Sequence, residues 1–202
     1  MAEHKYYYSD IGVTVNRLYT DHPDKIITLD RVRSEIDEVR KNIGDSDLWF
    51  GLKITFAHND AAETKETELD KYGAAGLTYS SVEKIVIRVR ESDPIEKTLR
   101  ILSHELGHWV AGQSGLNQNT AFANLAVEYF KSIMPIGQAE NDNWAEAFAE
   151  VWASIMGTDE FRGAFSDGQK YYPSAAMKSF IKAIYSMSRQ VNPANVDRLW
   201  SD

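Results

Sequence analysis

An α+β domain is the fold class that this sequence predicts, and three observations lead to it. Short runs rich in β-branched and aromatic residues lie before residue 91. Apolar residues recur at helical spacing over most of the chain beyond it. The two kinds of segment are segregated rather than alternating, which argues against a doubly wound parallel sheet. With 202 residues, 43% of them hydrophobic, the chain suffices for one compact core. A single domain over 1–202 is expected, with a helix-and-sheet half at 1–91 and a helical half at 92–202.

Each element follows from local pattern. Residues 11–20 (IGVTVNRLYT) open with alternating β-branched residues and read as a strand. Val32, Ile36, Val39 and Ile43 recur at helical spacing and Gly44 follows as a stop, which predicts a helix over 29–43. Residues 49–57 (WFGLKITFA) read as a strand, and the polar stretch 59–72 as a loop. Residues 74–80 (AAGLTYS) and 84–90 (KIVIRVR) read as a hairpin. In its second arm Ile85, Ile87 and Val89 share one face, while Lys84, Arg88 and Arg90 share the other. Asp93-Pro94-Ile95-Glu96 opens a helix: Asp93 can cap, Pro94 suits the first helical position, and Glu96 completes a capping-box pattern. That helix is expected to run to about Gly112. Further helices are expected near 119–134, 143–156, 173–188 and 193–200.

Composition narrows the function. The formal net charge is -8, so the chain lacks the broad basic footprint of a nucleic-acid binder. The same charge disfavours docking on an anionic membrane surface. There are no cysteines, which removes disulfides, thiolate metal sites and thiol nucleophiles. The N-terminal MAEHKYYYSD has no apolar core of the kind a secretory signal needs, and no apolar run approaches the roughly 20 residues of a membrane span. A cytoplasmic location is the default expectation, with export by a non-classical route as the alternative.

Residues 104–108 read His-Glu-Leu-Gly-His, inside the helix begun at Pro94. Side chains four apart on a helix lie on one face, so His104 and His108 can reach one ion. Neutral imidazole is a good zinc ligand. Glu105, beside the first histidine, can act as general base toward a water activated at the metal. The surrounding Leu99, Ile101, Leu102, Leu106, Trp109 and Val110 make the helix apolar, which sets part of its polar face inside the domain.

A third ligand must come from elsewhere. Where a metzincin carries glycine and histidine, this chain has Ala111 and Ser114. His4, His22 and His58 all lie upstream, and His58 reads best as a surface or loop histidine. A downstream carboxylate is left. Residues 143–156 (NWAEAFAEVWASIM) are apolar nearly all round, which implies burial, yet carry Glu146 and Glu150 four apart. Like charges on a buried face are costly unless compensated, and a divalent cation compensates them. Glu146 is the candidate ligand, with Glu140 in the preceding loop as the alternative. Glu150 is the candidate acceptor behind a ligand histidine.

HELGHWV followed by AEAFAEVW resembles the gluzincin pattern and is similar to the C-terminal catalytic domain of anthrax toxin lethal factor and its relatives. The resemblance covers about residues 95–155. It implies a zincin-like metallopeptidase fold: a small mixed sheet in the N-terminal half, then an active-site helix and a glutamate helix. It implies one zinc ion held by His104, His108 and Glu146, and hydrolysis of peptide bonds with Glu105 as base. It also implies an oxyanion-stabilising tyrosine seven residues before the ligand glutamate. Ala139 stands there, and Tyr129 is the one tyrosine between the two motifs. Tyr171 and Tyr172, in the turn-like DGQKYYP, are the candidate donors instead. In such folds the hairpin before the active-site helix presents an edge strand to the cleft. Gly76, Leu77, Thr78 and Tyr79 are the candidate substrate-binding residues, receiving an extended peptide or protein segment by main-chain hydrogen bonds. Two other functions share this ligand set: a zinc-binding module without turnover, and a zinc hydrolase acting on a non-peptide amide.

Overall fold

The computed structural model describes residues 2–19, 28–43, 49–58, 69–90, 92–114, 145, 146 and 149. Strands β1 (Ala2–Tyr8) and β2 (Val13–Tyr19) form an antiparallel hairpin. Gly12 makes its turn possible, because φ there is +69°, a conformation open to glycine at little cost. Helix α1 (Leu29–Ile43) then carries the chain to β3 (Lys53–His58), which pairs parallel with β2. A parallel pair needs such a crossover. The one-turn helix α2 (Leu69–Tyr72) precedes β4 (Gly76–Tyr79), which turns back into β5 (Lys84–Val89). Strand β5 lies between β3, to which it is parallel, and β4, to which it is antiparallel. The result is a mixed α/β unit with a small mixed sheet, in the order β1-β2-β3-β5-β4. Helix α3 (Ile95–Ser114) packs on β4 and β5 and touches α1.

The register sorts the two sheet faces. Val15, Ile54 and Ile85 are cross-strand partners, as are Phe56 with Ile87 and His58 with Val89. All are buried, and Gly76 and Thr78 lie on the same face as Ile87 and Ile85. This is the face that α3 covers. On the opposite face a smaller cluster of Ala57, Leu69 and Val86 receives Leu77 and Tyr79. Val86 is thus buried on the face that the sequence assigns to Lys84 and Arg88, because α2 supplies cover there. Arg88 stays polar at its head by bonding Asp70 of α2 at 2.6 Å.

The 29–43 helix and the 74–90 hairpin stand where the pattern puts them. One strand lies where no element was expected, and two expectations need correction. The N-terminal residues form β1, although they carry no alternation; pairing with β2 supplies the order. The expected loop over 59–72 ends in α2, one turn anchored by the fully buried Leu69. The strand expected from residue 49 begins at Lys53, because Trp49 to Gly51 form a turn with φ of +90° at Gly51. At the head of α3, Asp93 takes the Lys97 ammonium at 3.0 Å, and Glu96 pairs with Arg31 of α1 at 3.1 Å. The helices expected at 119–134, 173–188 and 193–200 lie outside the described residues. Of the expected 143–156 helix, Ala145, Glu146 and Ala149 are helical. Among the described residues, no helix is long and apolar enough to cross a membrane.

Candidate metal centre

Helix α3 has two working faces. Leu99, Leu102, Leu106, Trp109 and Val110 are buried in the core. Residues 101, 104, 105, 108, 111 and 112, spaced by three and four, line a cleft of about 670 Å³. Its opposite wall is the segment from Ala74 to Thr78 with Ser80, and Ala145 and Glu146 close a further side.

His104 and His108 sit one turn apart with ring centroids 4.8 Å from each other. Their Nε2 atoms are 3.1 Å apart. Glu146 brings Oε2 to 3.2 Å from the His104 Nε2 and Oε1 to 3.4 Å from the His108 Nε2. Among the described residues, these three form the group able to hold a metal ion. The glutamate is more open than the apolar pattern of 143–156 implies: its side chain is 40% exposed, because it faces the cleft.

Protons alone cannot satisfy this triangle. His104, then His108, hold the Glu146 carboxyl well below the usual carboxylate range, so it is ionised and only accepts. Each imidazole Nε2 either donates or accepts. If one donates and the other accepts, the accepting ring opposes the carboxylate acceptor-to-acceptor. If both donate, the two rings oppose each other. Every assignment leaves one of the three contacts frustrated. A shared cation removes the conflict, because all three groups then act as acceptors. The spacing agrees as well: tetrahedral zinc with bonds of about 2.0–2.1 Å sets its ligand atoms roughly 3.3–3.4 Å apart. Two imidazoles and a carboxylate also form the donor set of one class of catalytic zinc site.

Glu105 lies beside this group and is buried, with 5% exposure. Strand β4 lies close against its carboxylate. The Thr78 hydroxyl lies 2.7 Å from Oε2 and 3.0 Å from the Glu105 carbonyl oxygen. Its single proton is best directed at the side-chain oxygen, the shorter contact. At Gly76 an added Cβ would come within 2.6 Å of Oε1 and 2.8 Å of Cγ. Only glycine lets the strand lie this close.

The four residues expected to bind substrate therefore have partners inside the protein for their side-chain positions. Gly76 and Thr78 meet Glu105, whereas Leu77 and Tyr79 pack on the far-face cluster. The small size of Gly76 accommodates the Glu105 carboxylate. His58, expected at the surface, is buried at the end of β3. Glu140, Glu150, Tyr171 and Tyr172 lie outside the described residues. The grip of β4 on Glu105 is what sequence reasoning missed. Alternation does set Gly76 and Thr78 on one face, but the residue they meet is 27 or more positions away. No protein-family model matches the chain, and no curated protein matches it.

Proposed function

We propose that this chain is a zinc-dependent endopeptidase of the gluzincin type, on a zincin-like fold. The observation that carries the proposal is the triangle of His104, His108 and Glu146, frustrated without a cation, with a buried carboxylate beside it. The HELGH sequence of α3 and the helical Glu146 support the same reading.

Bound by these three residues, zinc would supply Lewis acidity, activating water and polarising the scissile carbonyl. The chain's own residues do the rest. Glu105 accepts the proton of the attacking water and passes it to the leaving amine. Thr78 and Gly76 hold that carboxylate in one place, so little reorganisation is needed as the proton moves. Strand β4 ends the sheet among the described residues, and its free edge offers main-chain groups to an extended peptide. The shallow wall opposite α3, built from Ala74, Ala75 and Gly76, leaves room for that peptide in the cleft.

Metal analysis tests the first step. After zinc loading and dialysis, the purified protein should hold about one zinc per chain. Glu146→Ala should weaken zinc binding by more than the roughly 10–100-fold that losing a residue behind a ligand costs. Unchanged affinity in that variant would remove Glu146 from the ligand set.

A further inference from the structure

The hydrogen-bond phase of the β4–β5 ladder gives Thr78 a second orientation to account for. The Arg88 N–H donates to the Ala75 carbonyl at 2.8 Å, and these residues face each other in the antiparallel register. Ala75 and Arg88 are thus a hydrogen-bonded pair. Such pairs alternate along an antiparallel ladder. Leu77 with Val86 and Tyr79 with Lys84 fall in the same phase. Gly76 with Ile87 and Thr78 with Ile85 fall in the other phase, in which main-chain N–H and C=O turn away from the neighbouring strand. For β4, away from β5 means the edge that is free among the described residues. The residues whose side-chain positions face Glu105 are therefore those whose main-chain groups face outward.

We propose that Thr78 is a positioning residue that registers the substrate main chain against the general base. The inference rests on the peptidase reading above. One residue makes both connections. Its hydroxyl holds Glu105 Oε2 at 2.7 Å, and its N–H and C=O point to where an extended peptide would add. Peptide paired at Thr78 lies at a fixed offset from the Glu105 carboxylate, because a single backbone unit separates the two contacts. Gly76 assists on the other side: its main chain shares the free edge, and its missing Cβ keeps Oε1 from being pushed away. Leu77 and Tyr79 hold the strand down from behind through the Ala57, Leu69 and Val86 cluster.

The test uses the full chain, zinc-loaded for kinetics and metal-free for structure. Thr78→Val keeps the shape and main chain but removes the hydroxyl, while Thr78→Ser restores it. In the valine variant kcat should fall roughly 10–100-fold, the size of effect expected from a misplaced catalytic group. KM should stay within about twofold, because the edge is intact. The serine variant should recover most of the loss, and zinc content should match the parent in both. In the Glu105→Gln background, Thr78→Val should cost little more, because the two residues act as a unit. Crystal structures of the metal-free variants supply the readout independent of turnover. The Glu105 carboxylate should leave its place in the valine variant and keep it in the serine variant. An unmoved carboxylate in the valine variant would overturn the proposal. So would a parental kcat, or a loss carried by KM and shared by serine. If the parent cleaves no peptide, the peptidase reading fails while the carboxylate positions still decide whether Thr78 holds Glu105. Replacing substrate amides one at a time by esters should raise KM at the position paired with Thr78. No effect at any position would overturn the main-chain half of the proposal.

Discussion

At the scale of single residues, Gly76 is the most telling position on β4. A methyl group there would overlap both the carboxylate and the Cγ of Glu105. The neighbour that must give way is a buried side chain already tied to Thr78. Gly76→Ala should therefore lower kcat by displacing the base, and destabilise the fold by about 1–3 kcal/mol as overpacking does. Paired kinetics and urea unfolding would check both effects. Parental kcat in this variant would mean that the carboxylate has room the packing does not show. At this scale the site was partly legible in the sequence. Spacing alone sets His104, Glu105 and His108 in place, because helix geometry is local. Glu146 was reachable by elimination and by its charge in an apolar segment. Thr78 was legible as a residue of the cleft strand, but its hold on Glu105 was not, because that contact is set by how the sheet docks on α3.

Among elements, the joint between the β1–β2 hairpin and α1 is built from polar contacts. The Tyr8 hydroxyl donates to the Leu29 carbonyl at 2.7 Å, which ties the hairpin to the start of α1. Arg33 lies over the Tyr8 ring and forks onto Asp10 at 2.7 and 2.9 Å, with Asp37 held on the same guanidinium. Burial raises the Tyr8 phenol above its ordinary value, and the nearby Arg33 charge opposes only part of that rise. A phenol whose folded pKa is raised contributes stability fully present below its unfolded pKa of about 10 and lost as pH rises through the folded pKa. Tyr8→Phe should cost about 0.5–1.5 kcal/mol near neutrality. It should also flatten the alkaline limb of stability above about pH 10, as chemical unfolding across pH would show. An unaltered alkaline limb would assign that titration to another group. Strand β1 itself was illegible, because a run such as EHKYYY carries no period-two pattern. Its order comes from the ladder with β2. Helix α2 was hidden for a similar reason: a single turn has too few residues to show a period, and Leu69 acquires its meaning from Ala57 and Val86.

For the whole molecule, the centre joins α3, in the body of the fold, to Glu146, 38 residues beyond His108 in sequence. A cation held by all three residues favours the arrangement that brings them together over any unfolded one. Binding of that kind stabilises by about 2.7 kcal/mol when free ligand stands at 100 times its Kd. Zinc should therefore raise Tm, a chelator should lower it, and Glu146→Ala should respond much less to either. Differential scanning calorimetry of both proteins, with and without chelator, reads this directly. Equal shifts in parent and variant would place the metal elsewhere. A mixed α/β fold with a small sheet in the N-terminal half was legible because strand patterns cluster before residue 91, whereas the parallel pairing of β2, β3 and β5, with α1 between β2 and β3, depends on long-range register that no local pattern encodes.

The reaction proposed for this cleft is metal-assisted peptide hydrolysis with Glu105 as its base. Cleavage of an unbiased peptide library by the zinc-loaded protein, beside Glu105→Gln at equal zinc content, tests it most directly. The parent should cleave, and the variant should be slower by about 10²–10⁴-fold, the range general-base catalysis supplies. Cleavage by Glu105→Gln at the parental rate would contradict the account, as would an inert parent carrying its full zinc.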